Sequence, residues 1–314
     1  MRYSLCFLKR LFASTAFVLC ACCSSGYSDD NITVAKVFEE WRRRELTIRS
    51  FQAEWKDSVS FPKAMQERAI RVFGTPGRRE SSTKSPPGTM FSYDMKCSLL
   101  GDGKRLRYSD NIVWPANESE GTASARAITH LTTFNDKLFS ALSSDEKISC
   151  PTGELKDSKI SPHYHDHSLR PLLWWCRPTE CALAGHIDPA SVEFNQIGLN
   201  DRRCIQLVHR GAKVTEELFV DPERSYNVIR YISRISPDTI GSQIDITLMQ
   251  VGTAWVPSGW IWVTHPKDDS RRTISTVNVT LCDLNSPMMQ SDFEIEFPVG
   301  TSVIDNRAKA PATE

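Results

Sequence analysis

The first regular hydrophobic pattern along the chain has the period of a helix. After Asn31-Ile-Thr, the apolar residues Val34, Val37, Phe38 and Trp41 recur at three- and four-residue spacings. The charged side chains between them fall mostly on other faces, which leaves a narrow apolar stripe. The pattern predicts an amphipathic helix that lies on a sheet rather than one that is buried on all sides.

From residue 51 the hydrophobic period becomes that of a strand. Phe51, Ala53, Trp55, Val59 and Phe61 alternate with polar residues, which predicts a long strand with one apolar and one polar face. Turn sequences separate further segments of this kind. Such strands are predicted at 91–99, 105–108, 203–209, 214–220, 227–235, 243–251, 260–265, 271–283 and 292–297, with a hairpin from 128 to 142 and turns at 101–103, 135–136, 221–223 and 257–259.

The order of these elements predicts a mainly β fold of the α+β class. Many consecutive strands joined by short turns, without alternating helices, indicate an antiparallel meander. A sheet of about ten such strands curls, so we expect an open β-barrel or half-barrel with the N-terminal helix on it. Residues 143–190 interrupt the meander as an irregular insertion with a short helix near 169–175, bounded by Pro171 and Pro178. We expect this insertion to act as a lid.

The N-terminus has the pattern of a secretory signal. Arg2, Lys9 and Arg10 precede an apolar run over 11–21, and small residues follow up to Gly26. This order is typical of a segment that is removed on export. The chain therefore divides into a signal peptide at 1–26, one β domain at 27–305 and a tail at 306–314 that we expect to be disordered.

Leu19-Cys20-Ala21-Cys22 resembles a bacterial lipobox, in which the last cysteine receives lipid. A multiply acylated Cys22 would hold the protein on a membrane, because each buried CH2 contributes ~0.8 kcal/mol. The alternative is plain cleavage near Ser25 or Gly26. The sequence thus predicts an exported protein that is periplasmic, or that contacts a membrane only through this lipid.

Charge and cysteine content narrow the classes of protein. The chain carries 38 basic and 38 acidic residues, so it lacks the general basic field of a nucleic-acid binder. Six cysteines follow the signal segment, which permits disulfides in an oxidising compartment. Cys176 and Cys181 are close enough in sequence to pair, although all six are equally compatible with reduced core residues.

The sharpest local motif is His163-Tyr-His165-Asp-His167. On an extended segment the three imidazoles share a face, and three histidines are a known zinc ligand set. Pro162 and the polar surroundings favour a solvated loop instead. Nucleophile-elbow, Walker and dinucleotide-binding motifs do not occur, so we predict neither an enzyme nor a cofactor.

Tryptophans mark the candidate apolar site. Trp260 and Trp262 alternate within one predicted strand and share a face, while Trp174 and Trp175 lie on the insertion. Together with Phe51 and Trp55, these side chains either pack a core or line and gate an apolar cavity.

The chain as a whole resembles the bacterial lipoprotein-carrier superfamily, which includes the outer-membrane lipoprotein carrier and receptor proteins. The resemblance rests on the element order over about residues 33–305 and on segments 41–55, 217–230, 255–257 and 293–305. It implies an incomplete barrel whose apolar concave face is covered by helices and holds acyl chains. No carrier residue known to engage lipoprotein maps onto a position here.

Three functions follow as hypotheses. The first is a non-enzymatic carrier-like protein that shelters a lipid or an acylated protein in the half-barrel. The second is a structural or interaction module of the cell envelope, with a filled barrel and no ligand. The third is a metal-dependent hydrolase that uses His163, His165 and His167.

Overall fold

The structure is a computed structural model that describes residues 33–62, 90–103, 105–114, 126–135, 137–157, 169–181, 189–264 and 272–307. The predicted signal segment with Cys22 lies outside the described residues. The same is true of His163, His165 and His167.

The predicted N-terminal helix is confirmed as α1, Val34–Thr47. It begins where the Thr33 side chain accepts a hydrogen bond from the Lys36 N–H at 3.2 Å, which satisfies one of the first-turn N–H groups that lack a partner within the helix. Its buried residues are Val37, Phe38 and Trp41. These belong to the apolar stripe seen in the sequence, and α1 therefore buries a single face.

Most of the described chain is extended. The strands are β1 Ser50–Pro62, β2 Met90–Asp102, β3 Arg105–Trp114, β4 Arg126–Asn135, β5 Leu138–Asp145, β6 Ile148–Asp157, β7 Glu193–Leu199, β8 Arg202–Arg210, β9 Thr215–Asp221, β10 Asn227–Ser236, β11 Thr239–Val251, β12 Ala254–Thr264, β13 Ile274–Leu284 and β14 Ser302–Asp305. Two short helical segments, α2 Arg170–Cys176 and α3 Pro178–Cys181, lie between β6 and β7. None of the described helices is long and apolar enough to cross a membrane.

The described strands form one 14-stranded sheet in the order β14-β6-β5-β4-β3-β2-β1-β13-β12-β11-β10-β9-β8-β7. Two meanders, β1 to β6 and β7 to β13, meet where β1 pairs antiparallel with β13. The described sheet is open, because its end strands β14 and β7 pair with β6 and β8 and not with each other. The predicted open antiparallel meander is confirmed, with one addition: β14 pairs with β6 in parallel.

The sheet bends around α2. A helix on a flat sheet buries one stripe, yet all residues from Pro171 to Cys176 are buried. The Trp174 ring lies 5.0 Å from the Tyr231 ring on β10, and the Trp175 ring lies 6.4 Å from the Phe51 ring on β1. In a flat sheet these two strands would be about 19 Å apart. We call the face that carries Phe51 and Tyr231 the concave face.

Three element predictions were wrong. The predicted strand 292–297 is not formed: residues 292 and 293 belong to a 3-10 turn, Gln290–Phe293, and residues 294–297 are not in a strand. The Asp292 carboxylate accepts from the Met289 N–H at 2.7 Å, which stabilises the turn. The predicted turn at 257–259 lies inside β12. Residues 148–157 of the supposedly irregular insertion form β6, and Pro151 is tolerated there because it falls beside an irregularity in the β5–β6 pairing.

A backbone hydrogen bond follows the last strand directly. The Asn306 N–H donates to the Leu155 carbonyl at 2.7 Å, continuing the β14–β6 pairing by one residue beyond Asp305. Asn306 thus contacts β6 directly after the end of β14.

Candidate binding groove on the concave face

The concave face carries an aromatic layer on β1, β3 and β12. The Trp55 ring on β1 lies 6.1 Å from the Tyr108 ring on β3 and 6.2 Å from the Trp260 ring on β12. Trp55 and Trp260 are 1% and 2% exposed. No two of these three strands are neighbours in the sheet. Their rings meet here as expected if the sheet is concave at this point.

The structure brings together five of the six predicted apolar residues. Phe51, Trp55 and Trp260 come from the sheet, and Trp174 and Trp175 come from α2; all are at most 2% exposed. Trp262 shares the face of Trp260, since Ile261 between them is 47% exposed. Trp262 is only half-buried, so it lies at the rim of the layer rather than within it.

Hydrogen bonds attach the helical segment 169–181, which we call the lid, to the rest of the protein. At its start, Arg170 Nη1 donates to the Tyr231 hydroxyl at 3.0 Å, and that hydroxyl donates to Glu216 Oε1 at 2.7 Å. Midway, Arg177 Nη1 donates to the Ile48 carbonyl at 3.1 Å and Arg177 Nε to the Gly103 carbonyl at 3.2 Å. The lid is thus held by polar contacts at several points along its length and by the apolar packing of α2.

Sequence reasoning missed these anchoring arginines. The available signal was the position of Arg170 and Arg177 directly on either side of the apolar run 171–176. Their acceptors include the Tyr231 hydroxyl and the Ile48 and Gly103 carbonyls. These groups are distant in sequence, so no local pattern indicates them.

A polar cluster lies on the same face beyond the aromatic layer. Asp57 is 1% exposed and accepts from the Ser275 hydroxyl at 2.7 Å. Asp110 is 8% exposed and lies 2.9 Å from His130 Nδ1. Burial, together with the nearby charges of Asp57 and Asp110, raises the pKa of Tyr93 to about 12. The concave face therefore has an aromatic part and an acidic part.

The acidic part had one sequence signal. In the alternation of β1, residue 57 occupies an apolar-face position between Trp55 and Val59 but is an aspartate. The pairing partner Cys97 of Trp55 also faces Asp110 across the β2–β3 ladder. The Asp110 carboxylate therefore lies on the face of Asp57 because of the register between β1, β2 and β3, which the sequence does not reveal.

We expect a pH dependence of stability from His130. The hydrogen bond to Asp110 raises the pKa of His130 above 6.5, so this contribution is complete below pH 6.5 and is lost as pH rises through the raised pKa. Because the side chain is 38% exposed, screening limits the effect to less than about 1 kcal/mol. Urea unfolding at about pH 6 and about pH 8 should show this loss in the wild type and not in His130→Gln. Equal changes in the free energy of unfolding between the two pH values in both proteins would contradict the prediction.

The predicted Cys176–Cys181 bridge is not formed in the structure. Cys176 is a buried thiol whose Sγ lies 3.9 Å from the Leu173 carbonyl. Burial raises the pKa of this thiol to about 12, against the opposing effects of Arg177 and Arg44. The close sequence spacing reflects the turn from α2 into α3, and both cysteines are buried.

Metal ligation is not seen in the part of the chain that the structure describes. No group of three or more His, Cys, Asp or Glu side chains is arranged there to hold a metal ion. The site predicted from His163, His165 and His167 lies outside it and stays a prediction.

Comparisons with known proteins give similarities of structure. No protein-family model matches the chain, and no curated protein matches it. A solved domain described as an outer membrane lipoprotein-sorting protein from Vibrio parahaemolyticus is 8% identical, with a TM-score of 0.43 over 82% of this chain and 94% of that chain. A LolA superfamily protein from Nitrosomonas europaea is 12% identical, with a TM-score of 0.39 over 84% of this chain and 98% of that chain.

Proposed function

We propose that the concave face shelters an apolar chain, such as the acyl chain of a lipid or of an acylated protein, in a binding role without catalysis. The observation that carries the proposal is what fills this face. Its centre is occupied by the seven-residue helix α2, which belongs to a separate segment rather than to an opposing sheet. Movement of the lid would expose Phe51, Trp55 and Trp260 to a ligand.

The chemistry of the aromatic layer suits an acyl ligand. Apolar burial contributes about 0.8 kcal/mol per CH2, so a long chain can replace the contacts of α2. The indole N–H groups of Trp55 and Trp260 are buried and have no acceptor among the described residues. Buried donors are ordinarily paired, and the ester carbonyl oxygens of an acylated ligand would accept from them.

The compartment belongs to the same proposal. Export by residues 1–26, followed by either a periplasmic location or attachment through a lipid on Cys22, would place the groove where lipids and acylated proteins are handled. This part of the proposal rests on the sequence.

A structural module with a permanently filled groove is the second candidate. The contacts of Trp174 with Tyr231 and of Trp175 with Phe51 favour it, because the protein's own rings close the groove. In the first candidate the lid moves away from the concave face to admit a ligand, whereas in the second it stays in place.

A titration with 11-(dansylamino)undecanoic acid distinguishes these candidates. We expect binding with a change in tryptophan emission, and we expect Arg170→Met to raise the apparent affinity about tenfold, because it removes one charged hydrogen bond that holds the lid closed. Arg210→Met is the matched control, since Arg210 pairs with Glu193 on exposed strand positions. Absence of probe binding to wild type and Arg170→Met would favour the filled module.

A further inference from the structure

Arg44 lies where α1 meets the β9–β10 turn and the lid. Its Nη1 donates to the Ser225 carbonyl at 3.2 Å and to Asn227 Oδ1. Its Nε and Nη2 are buried and have no acceptor among the described residues. One edge of this guanidinium is therefore paired, and the other edge is not.

The neighbouring carboxylates favour the Arg44 charge from a distance, but their direct partners are other groups. Glu40 pairs with Lys36 at 3.1 Å and with Arg43. Glu45 accepts from the Thr179 N–H at 2.6 Å and from the Thr179 hydroxyl. Burial lowers the pKa of Arg44 to about 10, so the group is a cation at neutral pH. A buried cation without a paired anion is costly.

The unpaired edge has the geometry of an anion fork. In arginine, the Nε–H and one Nη–H are nearly parallel and match the two oxygens of a carboxylate or phosphate. An oxyanion in this position would satisfy both donors and neutralise the charge. We infer that the Nε and Nη2 edge of Arg44 is a binding site for an oxyanion, either a carboxylate or a phosphate group.

The site lies next to the lid. The contacts of Glu45 with Thr179 join α1 to α3, and Arg44 is near enough to Cys176 to influence that thiol electrostatically. An anion bound at this edge would therefore lie close to the contact between α1 and the lid. The anion can be free in solution or can be the headgroup of a longer ligand, and the acyl proposal is needed only for the second case.

Calorimetric titrations of the full chain with inorganic phosphate, sodium decanoate and decanol separate these sources. Wild type is expected to bind phosphate or decanoate, and Arg44→Met should weaken that binding at least about tenfold. Arg43→Met is the matched control, because Arg43 lies on the same helix, is 74% exposed and pairs with Glu40. Its anion affinity should equal that of wild type.

The set of probes that bind identifies whether the anion is free or is the headgroup of a longer ligand. Binding of phosphate and decanoate indicates that a free anion suffices, whereas binding of decanoate alone indicates a headgroup on an apolar ligand. Decanol reports on the groove without an anion, so its failure to bind weakens the acyl proposal and leaves the phosphate result to stand.

Circular dichroism verifies that each variant is folded. If Arg44→Met is not folded, Arg44→Lys replaces it, because lysine keeps the charge without the fork and should bind the anion several-fold more weakly than wild type. Absence of anion binding to wild type, or equal losses in the Arg43 and Arg44 variants, would overturn the inference.

Discussion

Replacing Trp175 with alanine is expected to lower the free energy of unfolding by about 3–5 kcal/mol. The ring is 2% exposed, contacts Phe51 on β1 and donates from its indole N–H to the Trp255 carbonyl at 2.8 Å. The substitution removes the apolar contacts, leaves a cavity between α2 and the sheet and leaves the carbonyl without this donor. Urea unfolding measures the loss. The slope of the free energy of unfolding against urea concentration should be the same in the variant and the wild type.

The matched control is Trp262→Ala, on the same face of the sheet. Trp262 is half-buried at the rim, so the same change of side chain should cost clearly less. Indole should restore part of the stability of Trp175→Ala, because an apolar cavity of this shape binds an aromatic ring. A loss below about 1 kcal/mol would show that α2 does not pack into the groove in solution.

Some features of this fold depend on local sequence and others on residues distant in the chain, as Trp175 illustrates. The periodicity of residues 34–41 and 51–61 predicted α1 and β1, because each pattern depends only on neighbouring residues and one buried face. Pro171, Pro178 and the apolar run between them predicted the short helix for the same reason. That Trp175 meets Phe51 depends on the bending of the sheet, which the sequence predicted only as a general tendency of long meanders.

The groove could be predicted in its apolar residues but not in its polar ones. Alternation assigns Phe51, Trp55 and Trp260 to one face of the sheet, and the apolar run between two prolines predicted the helix that carries Trp174 and Trp175. Asp110 joins Asp57 through the register of β1, β2 and β3, and Arg44 reaches Asn227 across 183 positions of sequence. Such contacts follow from topology, which is fixed by the sum of all strand pairings rather than by any one segment.

Gly259→Ala is expected to lower the free energy of unfolding by about 2–3 kcal/mol. Sequence reasoning assigned this glycine to a turn, whereas it lies within β12 opposite Asn278 of β13. A Cβ atom at residue 259 would stand 2.5 Å from the Val277 carbonyl oxygen. The obstacle is backbone, so no change of rotamer relieves it, and the two strands must separate.

The control Gly198→Ala makes the prediction specific to this close approach. Gly198 also lies in a strand, β7, but a Cβ atom there would have no neighbour within 4 Å, so its replacement should be neutral or slightly stabilising. Trp260 follows Gly259 directly, and strand separation at residue 259 would shift its ring against Trp55. We therefore expect Gly259→Ala, unlike Gly198→Ala, also to weaken binding of the dansyl fatty acid. Equal stabilities of the two variants in urea would mean that β12 and β13 do not approach each other as the structure shows, and that the aromatic layer is built differently.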